Sequence, residues 1–257
     1  VEYLFICLLA FIGSALTLFS GFGLGTILVP VFALYFPIQQ AIALTAIVHF
    51  LNNLFKLSLL GKHANKEVIL RFGIPSVIAA FIGAYLLTQI TQAVPIYSYS
   101  LNGIAYTILP LKLVIGSLLI FFSLLDSIPK LAAIQFDKKY LVLGGLLSGF
   151  FGGLSGNQGA LRSAFLIRAN LSKEAFIASG VVIACFIDVS RLSVYSSQIL
   201  TLGDKINYSL IVTATLSAFI GTYFGNKLVK KITIKTLQLT VAVAIIIFGC
   251  LLALGLI

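Results

Sequence analysis

Charge is scarce in this chain. Only 9% of its 257 residues are Asp, Glu, Lys or Arg, whereas 60% are hydrophobic, and its mean hydropathy is +1.13. A water-soluble domain has roughly a quarter of its residues charged. Too few polar side chains remain to cover a wet surface, so the sequence reads as a polytopic membrane protein in a lipid bilayer. Methionine is missing altogether, even at position 1, although apolar helices normally carry several. The three cysteines, Cys7, Cys185 and Cys250, lie in apolar runs without CxxC spacing. That excludes a disulfide scaffold and a zinc site, and leaves them as small core residues. Histidine occurs twice, at His49 and His63, carboxylates number seven, and no HExxH-like string is present. A membrane-embedded enzyme needs a nucleophile–base or metal constellation, so that reading is the least supported, and neither a metal nor a cofactor is expected.

What charge there is has one dominant sign, with a formal balance of +10. Basic proteins often bind nucleic acid, but here the lysines and arginines are scattered through short connections between apolar runs. Cytoplasmic loops of membrane proteins collect such residues, so no nucleic-acid partner is expected. The first apolar segment lacks a basic leader and an Ala-x-Ala-like exit, and is expected to be a retained helix rather than a signal peptide.

Crossing a bilayer takes about 20 mostly apolar residues. Candidate spans cover residues 3–20, 41–60, 68–90, 111–125, 140–151, 175–199, 208–229 and 237–257, giving about eight full-length helices. Two shorter pieces, 26–36 and 160–167, follow glycine-rich breaks and are too short to cross alone at about 1.5 Å per residue. The first half recurs in the second: QQAIALTA (39–46) parallels KEAFIASG (173–180), NLFKLS (53–58) parallels DVSRLS (188–193), and FIGAY (81–85) parallels FIGTY (219–223). Three matches in one order, each about 135 residues apart, indicate duplication. The expected division is a first repeat over 1–128, a cytoplasmic linker over 129–139 and a second repeat over 140–257, together one membrane domain.

Loop charge orients the repeats. Lys62, Lys66 and Arg71, then Lys130, Lys138 and Lys139, then Lys227, Lys230, Lys231 and Lys235 mark cytoplasmic connections. The uncharged loop 92–107 reads as external. Helix 41–60 then runs inward and its counterpart 175–199 outward, so the repeats are inverted. Each glycine-broken pair enters and returns to its own side, and both termini lie outside the cell membrane.

Irregular backbone at membrane depth is tolerated only when buried in protein or facing a wet cavity. Inverted repeats with interrupted helices are common in secondary transporters, whose sites sit where the repeats meet. SGFGLGTILVP (20–30) and FGGLSGNQGALR (151–162) read as two such interruptions. The alternative is close helix packing through small residues. As a site, the breaks offer helix N-termini with free amides to an anion. Gly21, Gly23, Gly25, Gly156 and Gly159 admit close approach, and Thr26, Ser155, Asn157 and Gln158 supply side-chain donors. On helix 41–60, Thr45, His49, Asn52 and Lys56 form one polar stripe at helical spacing, with Asn53 beside it. Ionisable groups at that depth face a wet interior or a partner. Asp188 and Arg191 align with Asn53 and Lys56. Either the Asp188–Arg191 pair neutralises itself, or Arg191 and Lys56 attract the anion while Asp188 or His49 carries a coupling proton. Lys56 could also only snorkel from a helix end. Arg162, just inside the second half-helix, is an anion ligand if it points inward and a topology residue otherwise.

The string GFGLGTILVP, the polar helix after it, and the second copy GLSGNQGALRSAFLIRANLSKEAFIASG resemble the TauE/SafE family, also called 4-toluene sulfonate uptake permeases. The resemblance covers essentially the whole chain. It implies an inner-membrane carrier of sulfur-containing anions such as sulfite, thiosulfate, sulfonates or sulfoacetate, working without ATP. The family's glycine segments map onto Gly21–Gly25 and Gly152–Gly159, and Asn157-Gln158 depart from a purely glycine second motif. The expectation is an all-α secondary transporter, with substrate at Gly21, Gly23, Gly25, Thr26, Asn52, Asn53, Ser155, Gly156, Asn157, Gln158, Gly159, Arg162 and Arg191, and proton coupling at His49 and Asp188. A passive anion channel is the alternative.

Overall fold

Glycine, proline and apolar periodicity divide the chain into helices in the order the sequence implies. The structure is a computed structural model that describes residues 2–17, 23–202, 207–228 and 234–257. Gly21 and the topology markers Lys230 and Lys231 lie outside these residues. Helix α1 (Glu2–Thr17) is followed by α2 (Leu24–Ala33) and α3 (Ile38–Leu60). After a 3-10 turn come α4 (Lys66–Val68), a π-helical turn Ile69–Gly73 and α5 (Ile74–Thr91). Strands β1 (Tyr97–Leu101) and β2 (Ile104–Ile108) precede α6 (Pro110–Ser127) and α7 (Pro129–Ala132). The second half holds α8 (Leu141–Ser155), α9 (Gly159–Leu166), α10 (Lys173–Leu202), α11 (Tyr208–Leu228) and α12 (Ile234–Ala253).

Five stretches among the described residues are long and apolar enough to cross a bilayer: Ile38–His63, Lys66–Thr91, Pro110–Ser127, Lys173–Ser196 and Tyr208–Gly225. The expected spans at 3–20 and 140–151 correspond to shorter helices of 16 and 15 residues, the second of which ends at Gly156. The chain is a multi-pass membrane protein with an outer surface to match. On α5 the exposed residues include Ile74, Ile78, Ile82 and Tyr85, and on α11 Val212, Leu216, Ile220 and Tyr223. Each set is one apolar stripe on a helix face, which suits lipid and not water.

The second break is narrower than the string 151–162. Phe151 to Ser155 complete the last turn of α8, and α9 restarts at Gly159. Gly156 ends α8 in the left-handed region at φ 81°, its N–H bonded to the Gly152 carbonyl. Glycine takes that conformation without steric cost. In α2, Pro30 has no N–H to offer the Thr26 carbonyl, so one helical bond is missing.

Helices pack in matched pairs. Gly145, Gly149 and Gly153 of α8 lie against the backbone of Phe72, Ser76 and Ala80, so that a methyl on any of them would overlap it. The numbers rise together, so α8 runs parallel to α5. Gly221 and Gly225 of α11 lie in the same way against Phe11 and Ala15 of α1, again parallel. By contrast, α3 and α10 are antiparallel: Asn53 meets Asp188, while Asn65, beyond the end of α3, accepts Ser179 Oγ as partner for its N–H at 2.9 Å. So are α6 and α12, with Gly116 against Gly249 and Ser123 bonded to the Ala242 carbonyl.

The loop expected at 92–107 contains a hairpin. β1 and β2 pair antiparallel from Tyr97 opposite Ile108 to Leu101 opposite Ile104. Asn102 and Gly103 turn it with φ of 52° and 80°, the two positive values of a type I′ turn. The hairpin rests on the end of α12. Tyr99 Oη donates to the Leu254 carbonyl at 2.9 Å, Lys112 Nζ reaches the Ile257 carbonyl at 2.7 Å, and Gly255 abuts Thr107. Apart from this hairpin the described elements are helical.

Candidate functional site

The start of α2 meets the second glycine break. A methyl placed on Gly25 would come within 3.2 Å of the Gly156 carbonyl oxygen and 3.9 Å of Thr45 Cγ2. The N-termini of α2 and α9 are thereby held at one point beside the crossing of α3 and α10. Thr26, at the start of α2, is buried and donates its N–H to the Gly23 carbonyl at 3.1 Å. Ser155 is turned back onto the Phe151 carbonyl and accepts weakly from the Asn157 N–H.

Where α3 crosses α10, the polar stripe finds its partners. Asp188 is fully buried. One of its oxygens lies 2.7 Å from His49 Nδ1, whose N–H donates to it, and accepts from Asn53 Nδ2 at 3.0 Å. The other accepts from Arg191 Nε at 3.0 Å, with Nη2 at 2.8 Å. The Asp188–Arg191 pair within α10 therefore exists, but it shares its carboxylate with His49 of the other half. The Arg191 guanidinium is fully buried over Gly156, with Nη1 2.7 Å from where a side chain there would begin. Only a glycine leaves that space.

Around Arg191 several polar groups have no protein partner. Both amide atoms of Asn157 and of Gln158, the Thr45 hydroxyl and Arg191 Nη1 are buried without a hydrogen bond. Buried polar groups are nearly always satisfied by protein, water or ligand. Four side chains share this state beside the Gly25–Gly156 contact.

On the other side of Asp188 lies a cavity of about 110 Å³, lined by Thr17, Gly23, Leu24, His49, Asn53, Lys56, Arg162, Ser163 and the first turns of α10 around Gly180. Lys56 is 5% exposed and does not reach the surface by snorkelling. Its nearest acceptor is Thr17 Oγ1 at 3.5 Å. Arg162 points inward too, packing over Gly180, and its Nη1 has no partner. No carboxylate lines this cavity among the described residues.

The expected residues thus fall into two adjoining groups. Gly23, His49, Asn53 and Arg162 face the cavity. Gly25, Thr26, Ser155, Gly156, Asn157, Gln158, Gly159 and Arg191 gather at the junction of the breaks, and Asp188 bridges the two groups. Asn52 belongs to neither. Its amide donates to Ser14 Oγ at 3.1 Å and accepts from Thr222 Oγ1 at 2.9 Å, while those two hydroxyls lie 2.6 Å apart. It fastens α3 to α1 and α11 with its side chain already satisfied. Sequence reasoning misses Thr17 and Tyr195, whose Oη donates to the Gly153 carbonyl at 2.6 Å, although Tyr195 follows Asp188 and Arg191 at helical spacing. No group of three or more His, Cys, Asp or Glu that could hold a metal occurs among the described residues.

Neither a curated protein nor a solved structure matches the chain. The profile of the family described as Sulfite exporter TauE/SafE does, over residues 6–252. That match spans both glycine breaks, the α3–α10 crossing and the matched helix pairs, nearly the whole of the 257 residues, and so the chain belongs to the TauE/SafE sulfite exporter family of membrane transport proteins.

Proposed function

We propose that the protein is a secondary transporter that moves a small sulfur-containing anion across the cytoplasmic membrane by alternating access. The observation that carries this reading is the cavity beside the α3–α10 crossing, where Lys56 and Arg162 stand without a counter-charge. An isolated buried cation is expensive in a membrane protein, and an anion offsets that cost whenever it binds. Free amides at the starts of α2 and α9 add favourable partial charge. Asn157, Gln158 and Arg191 Nη1 offer further donors beyond Asp188. The solute passes between the cavity and this inner polar group.

Inverted repeats at 1–128 and 140–257, joined by the 129–139 linker, supply the two-way access. Helix directions support this. An axis lying in the membrane plane between two copies of one helix makes those copies antiparallel, as α3 is to α10 and α6 to α12. Matched contacts support it further. Gly83 of FIGAY abuts the Phe150 carbonyl on α8, and Gly221 of FIGTY abuts the Phe11 carbonyl on α1. Each repeat thus lends its first helix to the other. Both termini then lie outside, and the cavity, being next to the start of α10, opens toward the cytoplasm.

His49 and Asp188 form the proton-coupling pair. The test is uptake of radiolabelled sulfite into proteoliposomes. Arg162→Ala and Lys56→Ala are expected to lower sulfite affinity at least about tenfold, roughly 1.4 kcal/mol. Unchanged affinity in both removes the cavity as the site. Exchange accelerated by sulfite on the far side marks a carrier. Steady conductance with no such acceleration marks the channel alternative.

A further inference from the structure

Charge bookkeeping around the cavity says more about the solute than its sulfur chemistry does. The titratable groups facing the α3–α10 crossing are Lys56 and His49 on α3, Arg162 on α9, and Cys185, Asp188 and Arg191 on α10. Asp188 is committed: one oxygen serves His49 and Asn53, and the other serves Arg191. It has no oxygen left for Lys56 or Arg162. Among the acids near the cavity mouth, Glu174 is exposed and does not line it. Three cations set against one carboxylate leave an excess of two positive charges, and both lie on one small cavity. With His49 protonated the excess is larger still.

The duplication sharpens the point. Lys56 and Arg191 occupy equivalent positions on the two long helices, yet Asp188 neutralises only Arg191, because the equivalent of Asp188 in the first half is Asn53. Arg162 has an apolar counterpart, since aligning Gly25 with Gly159 places Leu28 opposite it. Divergence between the halves has therefore concentrated uncompensated positive charge on the Lys56 side alone.

We infer that the cavity selects a dianion over a monoanion of the same shape, binding it between Lys56 Nζ and the Arg162 guanidinium. This rests on the transporter reading above and adds a charge requirement to it. A monoanion leaves one buried cation unpaired, whereas a dianion leaves none. A guanidinium and an ammonium also suit two oxygens of a tetrahedral or pyramidal oxyanion. The volume of about 110 Å³ suits a solute of a few heavy atoms.

Sulfate and methanesulfonate make a clean comparison, since they differ by one charged oxygen replaced with a methyl group. Purified full-length protein is titrated with each at constant ionic strength, and thermal stability is read as a function of concentration. Sulfate is expected to reach its half-maximal stabilisation at a concentration about tenfold or more below that of methanesulfonate. In Arg162→Gln and in Lys56→Gln the ratio is expected to fall toward one, with the unliganded variants at least as stable as the parent because a buried unpaired charge is gone. Equal half-maximal concentrations in the parent protein overturn the inference, as does stabilisation by neither ion or an unchanged ratio in both variants. The transporter reading is judged separately by sulfite exchange in proteoliposomes: equal affinities with exchange intact sink only the charge requirement, and absent exchange sinks the function.

Discussion

Asp188 holds His49, Asn53 and Arg191 at once, and its removal exposes what each of those contacts is for. Asp188→Ala leaves the fully buried Arg191 with no counter-charge. Breaking one side of a buried ion pair typically costs about 3–5 kcal/mol, so a large fall in Tm of the detergent-solubilised protein is expected. Replacing both residues, as Asp188→Ala with Arg191→Leu, should recover much of that loss, since no lone charge then remains. A double variant no more stable than the single one would show that the cluster matters for another reason. Half of this cluster was readable in advance: Asp188 and Arg191 are three apart on a helix, and that spacing places them on one face. The bond from His49 to Asp188 was not, because it spans 139 positions and depends on how α3 crosses α10. Asn52 shows the reverse case. It sits in the polar stripe, but Ser14 and Thr222, each a single hydroxyl in an apolar run, absorb its amide.

Between elements, glycine sets how closely helices approach. Gly83→Ala and Gly221→Ala each drive a methyl into a backbone carbonyl, of Phe150 and Phe11 respectively. Backbone cannot move aside as a side-chain tip can, so each should cost about 1–3 kcal/mol, and the two costs should be similar because the contacts match. Gly23→Ala is the control. It sits in extended backbone at φ −78° and ψ 142°, with no atom of the described residues nearer than Thr26 Oγ1 at 3.6 Å, so it should melt like the parent. Thermal unfolding of the three variants side by side decides this; a Gly23→Ala loss as large as the other two would be wrong for the packing described. Sequence alone left open whether the glycines serve packing or a site, and the helices divide that question by position. Gly145, Gly149 and Gly153 serve packing, while Gly25 and Gly156 form the junction. The hairpin carried a readable signal in Asn102-Gly103 between alternating residues, the strongest short-range mark of a two-residue turn. The loop's lack of charge bears on the side of the membrane it faces and says nothing of its local structure.

For the molecule as a whole, membrane character was legible from composition, and three short matches carry the proposed duplication. The order of pairing was not legible. Nothing in the strings FIGAY and FIGTY says that each would meet the opposite half's first helix. If the halves are inverted, the connection at 61–67 and the hairpin turn at 102–103 lie on opposite faces. Single cysteines placed at Lys62 and at Asn102, in a background with Cys7, Cys185 and Cys250 replaced, should react with an impermeant thiol reagent from opposite sides of sealed vesicles. Labelling of both from one side would contradict the inverted arrangement.

The hairpin's grip on the end of α12 constrains how such a protein can move. Tyr99 of the hairpin and Lys112 at the start of α6 bond to the carbonyls of Leu254 and Ile257 just past α12, where Gly255 abuts Thr107, and Gly116 presses on Gly249 where α6 crosses α12. Those pieces behave as a riveted bracket, stapled at its tip and along its shaft. If the solute path opens to each side in turn, as proposed above, that opening falls to the helices outside this bracket.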